Sequence, residues 1–207
     1  MKREKKYIVA VTGATGAPLA FHMIKALLCH AVEINLLFSD MGKQVFYQEL
    51  KILRHTSLTD FLKISFETDY HKIRLWDTMD FSAPFASGSG AADAMIIIPC
   101  SMKTLSSVTH GYASTLIERS ADVMLKENRP LILVPRETPM NQIHLRNLLL
   151  ASQAGAVIIP PMPAFYTDPK NIEDILSYIS GKILDNLHIP HDLFPRWSES
   201  KKNKTNS

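Results

Sequence analysis

Apolar residues along the chain fall into short continuous runs that alternate with segments of helical spacing. Tyr7-Ile8-Val9-Ala10-Val11 is the first run, and it breaks at Thr12-Gly13-Ala14-Thr15-Gly16-Ala17-Pro18 into a turn of small residues. Leu19, Met23, Ala26 and Leu27 then recur with helical spacing, and Val32 to Phe38 is a second apolar run. A helix between two strands has the length of a crossover, so the strands are expected to be parallel, adjacent and joined right-handedly. Ser39-Asp40 caps a helix from Met41 to about Lys51, with Glu49 near its far end. A short helix near Leu58 to Leu62 and a weak strand Ile73-Arg74-Leu75-Trp76 follow, and Ala83 to Gly90 reads as a loop from its Pro, Gly and Ser content.

Ala94 to Pro99 is uninterrupted and apolar, the pattern of a strand buried on both faces, and Cys100 to Ser106 is a polar turn opening another helix. From Thr115 to Glu127 the expected buried stripe is Leu116, Ile117, Ala121, Met124 and Leu125, with Glu118, Arg119, Asp122 and Lys126 facing elsewhere. A strand Pro130 to Pro135, a helix from about Asn141 to Gln153 and a strand Ala156 to Pro160 come next. Pro161 to Tyr166 is a stiff exit, and a long amphipathic helix from Ile172 to about Leu187 carries Lys182. This alternation predicts an α/β protein: a Rossmann-like (flavodoxin-like), doubly wound, largely parallel sheet in a three-layer αβα arrangement.

Composition narrows the class. With 207 residues, 46% of them hydrophobic and 21% charged, the chain is expected to form one ordinary α/β domain over 1–207, with 1–6 and 199–207 as solvated tails. The net charge of +3 is scattered and gives nucleic acid no support. Cys29 and Cys100 form no disulfide framework, and neither they nor the eight histidines have metal-ligand spacing, so no metal is expected. No apolar run has transmembrane length and the basic N-terminus leads directly into a core strand, so the cytoplasm is expected and a membrane is not.

Gly13 and Gly16 allow a sharp turn and close approach to a ligand, Pro18 suits a first helical turn, and the amides of a helix start favour an anion. A phosphate is the usual occupant, although a plain strand-to-helix turn packed with small residues has the same sequence. The turn also departs from G-x-G-x-x-G, because Thr15 stands where the second glycine belongs. Residues that follow the expected strands are Gly13, Ala14 and Thr15, then Ser39, then Ser101, Met102, Lys103 and Thr104, then Arg136 and Glu137, then Tyr166. Together they offer hydroxyls and amides for phosphate, an arginine for a second anionic contact, a carboxylate for proton transfer and a phenol. Arg119 and Lys126 are two helical turns apart and point from nearly the same side. A nicotinamide dehydrogenase would want an acid closing the second strand, yet Phe38 is followed by Ser39. The P-loop lysine motif and the G-x-S-x-G elbow are both missing.

Several segments, in order, resemble the flavin prenyltransferase family, long described as aromatic acid decarboxylases of the phenylacrylic acid type. They are Val11 to Ala17, Ala86-Ser87-Gly88-Ser89, Pro99 to Ser106, Ile117 to Val123, Leu125 to Leu131, Val134 to Pro139, Gly155 to Ile158, Pro163 to Tyr166 and Asp192 to Trp197. The resemblance implies a metal-independent transferase that joins the dimethylallyl group of dimethylallyl phosphate to N5 and C6 of reduced FMN, making prenylated FMN for a partner decarboxylase. It further implies a homododecamer. Carried over by residue, Gly13, Ala14, Thr15, Ser39, Ser101, Met102, Lys103, Thr104 and Arg136 would hold FMN. Tyr166 and Lys182 would bind the prenyl phosphate, with Arg119 and Lys126 reaching the same site from a neighbouring subunit. Thr15, Glu49, Glu137, Arg119 and Lys126 would serve the chemistry, with Glu137, Glu49 or the departing phosphate taking the flavin C6 proton. Two positions depart from the family, which commonly has Ser at Thr15 and Arg at Lys182. A related fold offers the alternative of an FMN-dependent decarboxylase of cysteine-bearing acids, echoed by Ala86-Ser87 and Pro139-Met140-Asn141. A non-catalytic FMN-binding subunit is the reading from a different class.

Overall fold

The computed structural model describes residues 4–30, 32–90 and 92–196. Its strands are β1 (Lys5–Val11), β2 (Val32–Phe38), β3 (Ile73–Trp76), β4 (Ala94–Cys100), β5 (Leu131–Pro135) and β6 (Val157–Ile158). All pairings are parallel, and the six strands lie in the order 3-2-1-4-5-6. The order reverses between β1 and β4, and that reversal opens a crevice at the carboxyl ends of the two strands.

Helices α1 (Ala17–Leu28), α2 (Asp40–Glu49) and α3 (Leu58–Phe66) connect β1 through β3, and α4 (Met102–Thr109), α5 (Leu116–Lys126) and α6 (Gln142–Gln153) connect β4 through β6. Residues of one parity, including Ile8, Ala10, Met95, Ile97, Leu131 and Leu133, form a core with Leu105 of α4, Ile117 and Met124 of α5 and Ala151 of α6. Val9, Leu36 and Ile96, of the other parity, are also completely buried. On the α1 side the rings of Phe21, Phe61 and Phe66 meet, with Phe21 and Phe66 stacked at 5.0 Å. At its centre a sheet covered on both faces has no room for alternating polar residues, which is why β4 and β5 read as unbroken apolar runs.

Three boundaries differ from the sequence reading. β1 begins at Lys5, so Lys5 and Lys6 belong to the sheet rather than to a tail, and Lys6 pairs with Glu33 of β2 at 2.8 Å. The helix expected to end near Leu62 runs to Phe66. The strand expected over Ala156 to Pro160 is reduced to Val157–Ile158, with Ile159 donating one last amide bond to the Leu133 carbonyl at 2.8 Å. Pro160 and Pro161 have no N–H with which to extend the ladder.

The described residues form two compact units, one up to Pro160 and one from Pro161. The second unit contains α7 (Ile172–Asn186) and the segment after it. The expected tail 199–207 and Trp197 lie outside the described residues. Among the described residues no helix is long and apolar enough to cross a membrane.

Candidate active site

Thr12 fastens the crevice. Its buried hydroxyl donates to the Pro99 carbonyl at 2.7 Å and accepts from the Ser101 amide at 2.8 Å, joining the turn after β1 to the turn after β4. The start of α2 is drawn to the same place, because the Ser39 amide donates to the Val11 carbonyl at 3.0 Å. Two glycines permit the approach: a Cβ on Gly13 would lie 2.6 Å from the Met41 Cβ, and one on Gly42 would lie 2.3 Å from the Val11 carbonyl oxygen.

Ser39 and Ser101 are N-caps. The Ser39 hydroxyl accepts from the Gly42 amide at 3.0 Å, and the Ser101 hydroxyl accepts from the Thr104 amide at 3.3 Å. A cap that accepts an amide still has its own proton to offer, so this role and anion binding are compatible.

Two adjoining cavities share Gly13 and Ser101. The first, of about 410 Å³, is lined by Ser39, Lys103 and Thr104 together with Asp40, Met41, Thr78, Thr115, Ile117 and Glu118. The second, of about 310 Å³, is lined by Ala14, Thr15, Glu49, Arg136 and Glu137 together with Val45 and Gln48. Most of the residues expected to hold a cofactor therefore converge here. Met102 is the exception, since its side chain packs against the core and lines neither cavity.

Glu49 changes the reading of the opening turn. One carboxylate oxygen accepts a very short bond from the Thr15 hydroxyl. The other accepts from the amides of Gly16 at 3.0 Å and Ala17 at 2.8 Å. The start of α1, expected to face a phosphate, thus already holds an anion supplied by the chain. Burial alone would raise the Glu49 pKa. The Thr15 hydroxyl, the two amides and the charge of Arg136 outweigh it, so the group is held below the ordinary carboxylate range. Arg136 also lies 3.9 Å from Glu137, which accepts from the Thr138 amide at 3.0 Å.

Glu118, expected on the outer face of its helix, is only 5% exposed. It closes a capping box: one oxygen accepts from the Ser114 amide at 2.9 Å, the Ser114 hydroxyl at 2.6 Å and the Thr115 amide at 3.0 Å. Burial pushes its pKa up, but these bonds and the Ser107 hydroxyl bring it below the usual value. The signal was present in the sequence as Thr115 followed three residues later by Glu118.

Arg119 and Lys126 line neither cavity. Arg119 donates to the Ala86 carbonyl at 2.9 Å and to Asp122 at 2.8 Å, while Lys126 pairs with Glu127 at 3.1 Å. Both stand beside the 84–90 loop, where a Cβ on Gly88 would meet Glu127 at 2.0 Å and Lys126 Nζ at 3.2 Å. Tyr166 and Lys182 belong to the second unit, Tyr166 being half exposed and Lys182 lying 3.6 Å from Asp185. Cys100 is an unsuitable nucleophile, since burial pushes its thiol up to about 12. Among the described residues no cluster of His, Cys, Asp and Glu is arranged to hold a metal ion.

Sequence reasoning missed Thr78, Thr115, Ile117 and Glu118, which reach the first cavity from the β3 exit and the α5 start, away from the strand ends surveyed.

The Flavoprotein family model matches residues 1–184. Flavin prenyltransferase UbiX of Methanocaldococcus jannaschii is 44% identical over 193 residues, covering 93% of this chain and 98% of the relative. Among solved structures, AnUbiX (PadA1) in complex with FMN and dimethylallyl pyrophosphate aligns with a TM-score of 0.82 at 40% identity, over 94% of this chain and 98% of that one. A dodecameric FMN-dependent Ubix-like decarboxylase from Escherichia coli O157:H7 aligns with a TM-score of 0.80 at 40% identity, over 93% and 98% respectively.

Proposed function

Because the chain belongs to the flavoprotein family, and within it to the flavin prenyltransferases, we propose that it transfers a dimethylallyl group from dimethylallyl phosphate to reduced FMN, for use by a separate decarboxylase. The observation that carries this reading is the second cavity, where Thr15 and Glu49 stand with Arg136 and Glu137 beside a cavity lined by two helix starts. The capped starts of α2 and α4, with Ser39, Ser101, Lys103 and Thr104, suit the FMN phosphate. The bound reduced flavin supplies the nucleophilic nitrogen and carbon.

Thr15 gives its hydroxyl proton to Glu49, so it presents lone pairs to the cavity and is suited to accept an N–H. A threonine keeps this capacity where the family commonly has serine. Glu49 has both oxygens engaged and a lowered pKa, which makes it a poor proton acceptor. We therefore assign removal of the C6 proton to Glu137, whose engagement is lighter. Tyr166 and Lys182 bind the prenyl phosphate in this reading, and Arg119 and Lys126 reach it from a neighbouring copy. Cations there stabilise the leaving phosphate more in the transition state than in the ground state. The working form is a homo-oligomer, taken as a dodecamer by likeness to the E. coli relative. Cys29 and Cys100 are free thiols, which supports work in a reducing compartment such as the cytoplasm.

Incubated without oxygen with FMN, a reductant and dimethylallyl phosphate, the protein is expected to yield flavin heavier by one prenyl group. Glu137→Gln should retain FMN and lose turnover by about 100-fold or more. Unchanged flavin mass with intact binding would point to an FMN carrier instead, and full activity in Glu137→Gln would remove that residue from the mechanism.

A further inference from the structure

In the second unit the segment from His191 to Arg196 folds back along α7 at Gly181. A Cβ there would lie 2.5 Å from the Phe194 ring and 2.7 Å from the His191 ring, so only glycine leaves this seat open. Two lines of contact run from it. Phe194 meets Tyr178 at 5.0 Å between centroids, and Tyr178 meets Tyr166 at 6.0 Å with the rings perpendicular. The two tyrosine hydroxyls are hydrogen-bonded, the main reason that Tyr178 is pushed up to about 12.

The second line passes through Asp185. Its Oδ1 accepts from His191 Nε2 at 3.1 Å, and its Oδ2 accepts from Arg196 at 2.8 Å and lies 3.6 Å from Lys182 Nζ. The Leu193 amide donates to His191 Nδ1 at 3.2 Å, which puts the ring proton of a neutral His191 on Nε2, toward Asp185. Arg196 also lies over the Phe194 ring at 4.8 Å. Arg196 thus occupies the oxygen that Lys182 would otherwise take. Lys182 is attracted but not captured, and its ammonium has donors left for another anion.

We propose that the His191–Arg196 segment is a clamp that sets Tyr166 and Lys182 for the prenyl phosphate, with Tyr178 and Asp185 as its positioning residues. The proposal rests on the reading of Tyr166 and Lys182 as phosphate ligands. Without Arg196, Lys182 closes onto Asp185 Oδ2 and is withdrawn from the phosphate. Without Asp185 as well, there is nothing left to withdraw it.

Calorimetric titration of the full-length protein with dimethylallyl phosphate, alongside KM and kcat for that donor, tests this. Arg196→Ala should weaken donor binding about tenfold, as expected for the loss of one charge-assisted contact. Adding Asp185→Asn should restore most of that loss, whereas a merely structural role would make the double variant worse than either single one. Tyr178→Phe should raise the donor KM and leave FMN retention unchanged. Should Arg196→Ala fail to fold, Arg196→Gln removes the charge with less loss of side-chain volume and carries the same test. Lys182→Ala separates the two layers. If it binds donor as the parent does, the assignment of Lys182 fails and the clamp fails with it. If it binds weakly while the Arg196 and Tyr178 variants bind normally, the clamp alone is overturned.

Discussion

Two carboxylates, Glu49 and Glu118, were legible in the chain as residue types but not as buried or engaged groups. Each is held ionised by donors that converge in space: Thr15, Gly16 and Ala17 on Glu49, and Ser114 and Thr115 on Glu118. A depressed folded pKa contributes stability that is fully present above the unfolded value of about 4.3 and is lost as pH falls through the folded value. Glu118→Gln is therefore expected to cost about 1–3 kcal/mol at neutral pH. In urea melts between pH 7 and pH 3, that cost should shrink as the parent Glu118 takes up a proton. A constant difference across the range would mean that Glu118 contributes through shape and not charge. Helical periodicity placed Glu118 outside because it counts polarity, whereas a capping box rewards a carboxylate that turns back into its own helix start.

Among the elements, the central strands were the most readable part of the chain, because a sheet covered on both faces demands unbroken apolar runs and β4 and β5 meet that demand, whereas β2 carries Glu33 and Asn35 and the edge strand β3 carries the exposed Arg74. β6 was overread, since apolar character cannot reveal that Pro160 and Pro161 end the ladder. The α2 start was readable from Ser39, yet its closeness to β1 depends on Gly42, which carries no signal of its own in the hydropathy pattern. Gly42→Ala would drive a methyl group into the Val11 carbonyl oxygen. We expect a loss of at least about 1–3 kcal/mol, read as a lower urea midpoint with unchanged slope, and weaker FMN retention as Ser39 moves. A midpoint equal to that of the parent would show that α2 can retreat without cost.

At the scale of the whole molecule, Arg119 and Lys126 line neither cavity of their own chain, which is the arrangement a shared site requires. If they act on a neighbouring copy, mixed assemblies of Arg119→Ala and Glu137→Gln subunits should recover activity that neither variant shows alone. The measurement is turnover after refolding the two together, against the same variants refolded apart; no recovery would confine both residues to one chain. The sheet order of this protein is the one on which dinucleotides are commonly bound, with their pyrophosphate on the first helix. Here Glu49 already sits on that helix. A pyrophosphate brought to that helix start would have to displace the Glu49 carboxylate from the Gly16 and Ala17 amides, one negative charge against another.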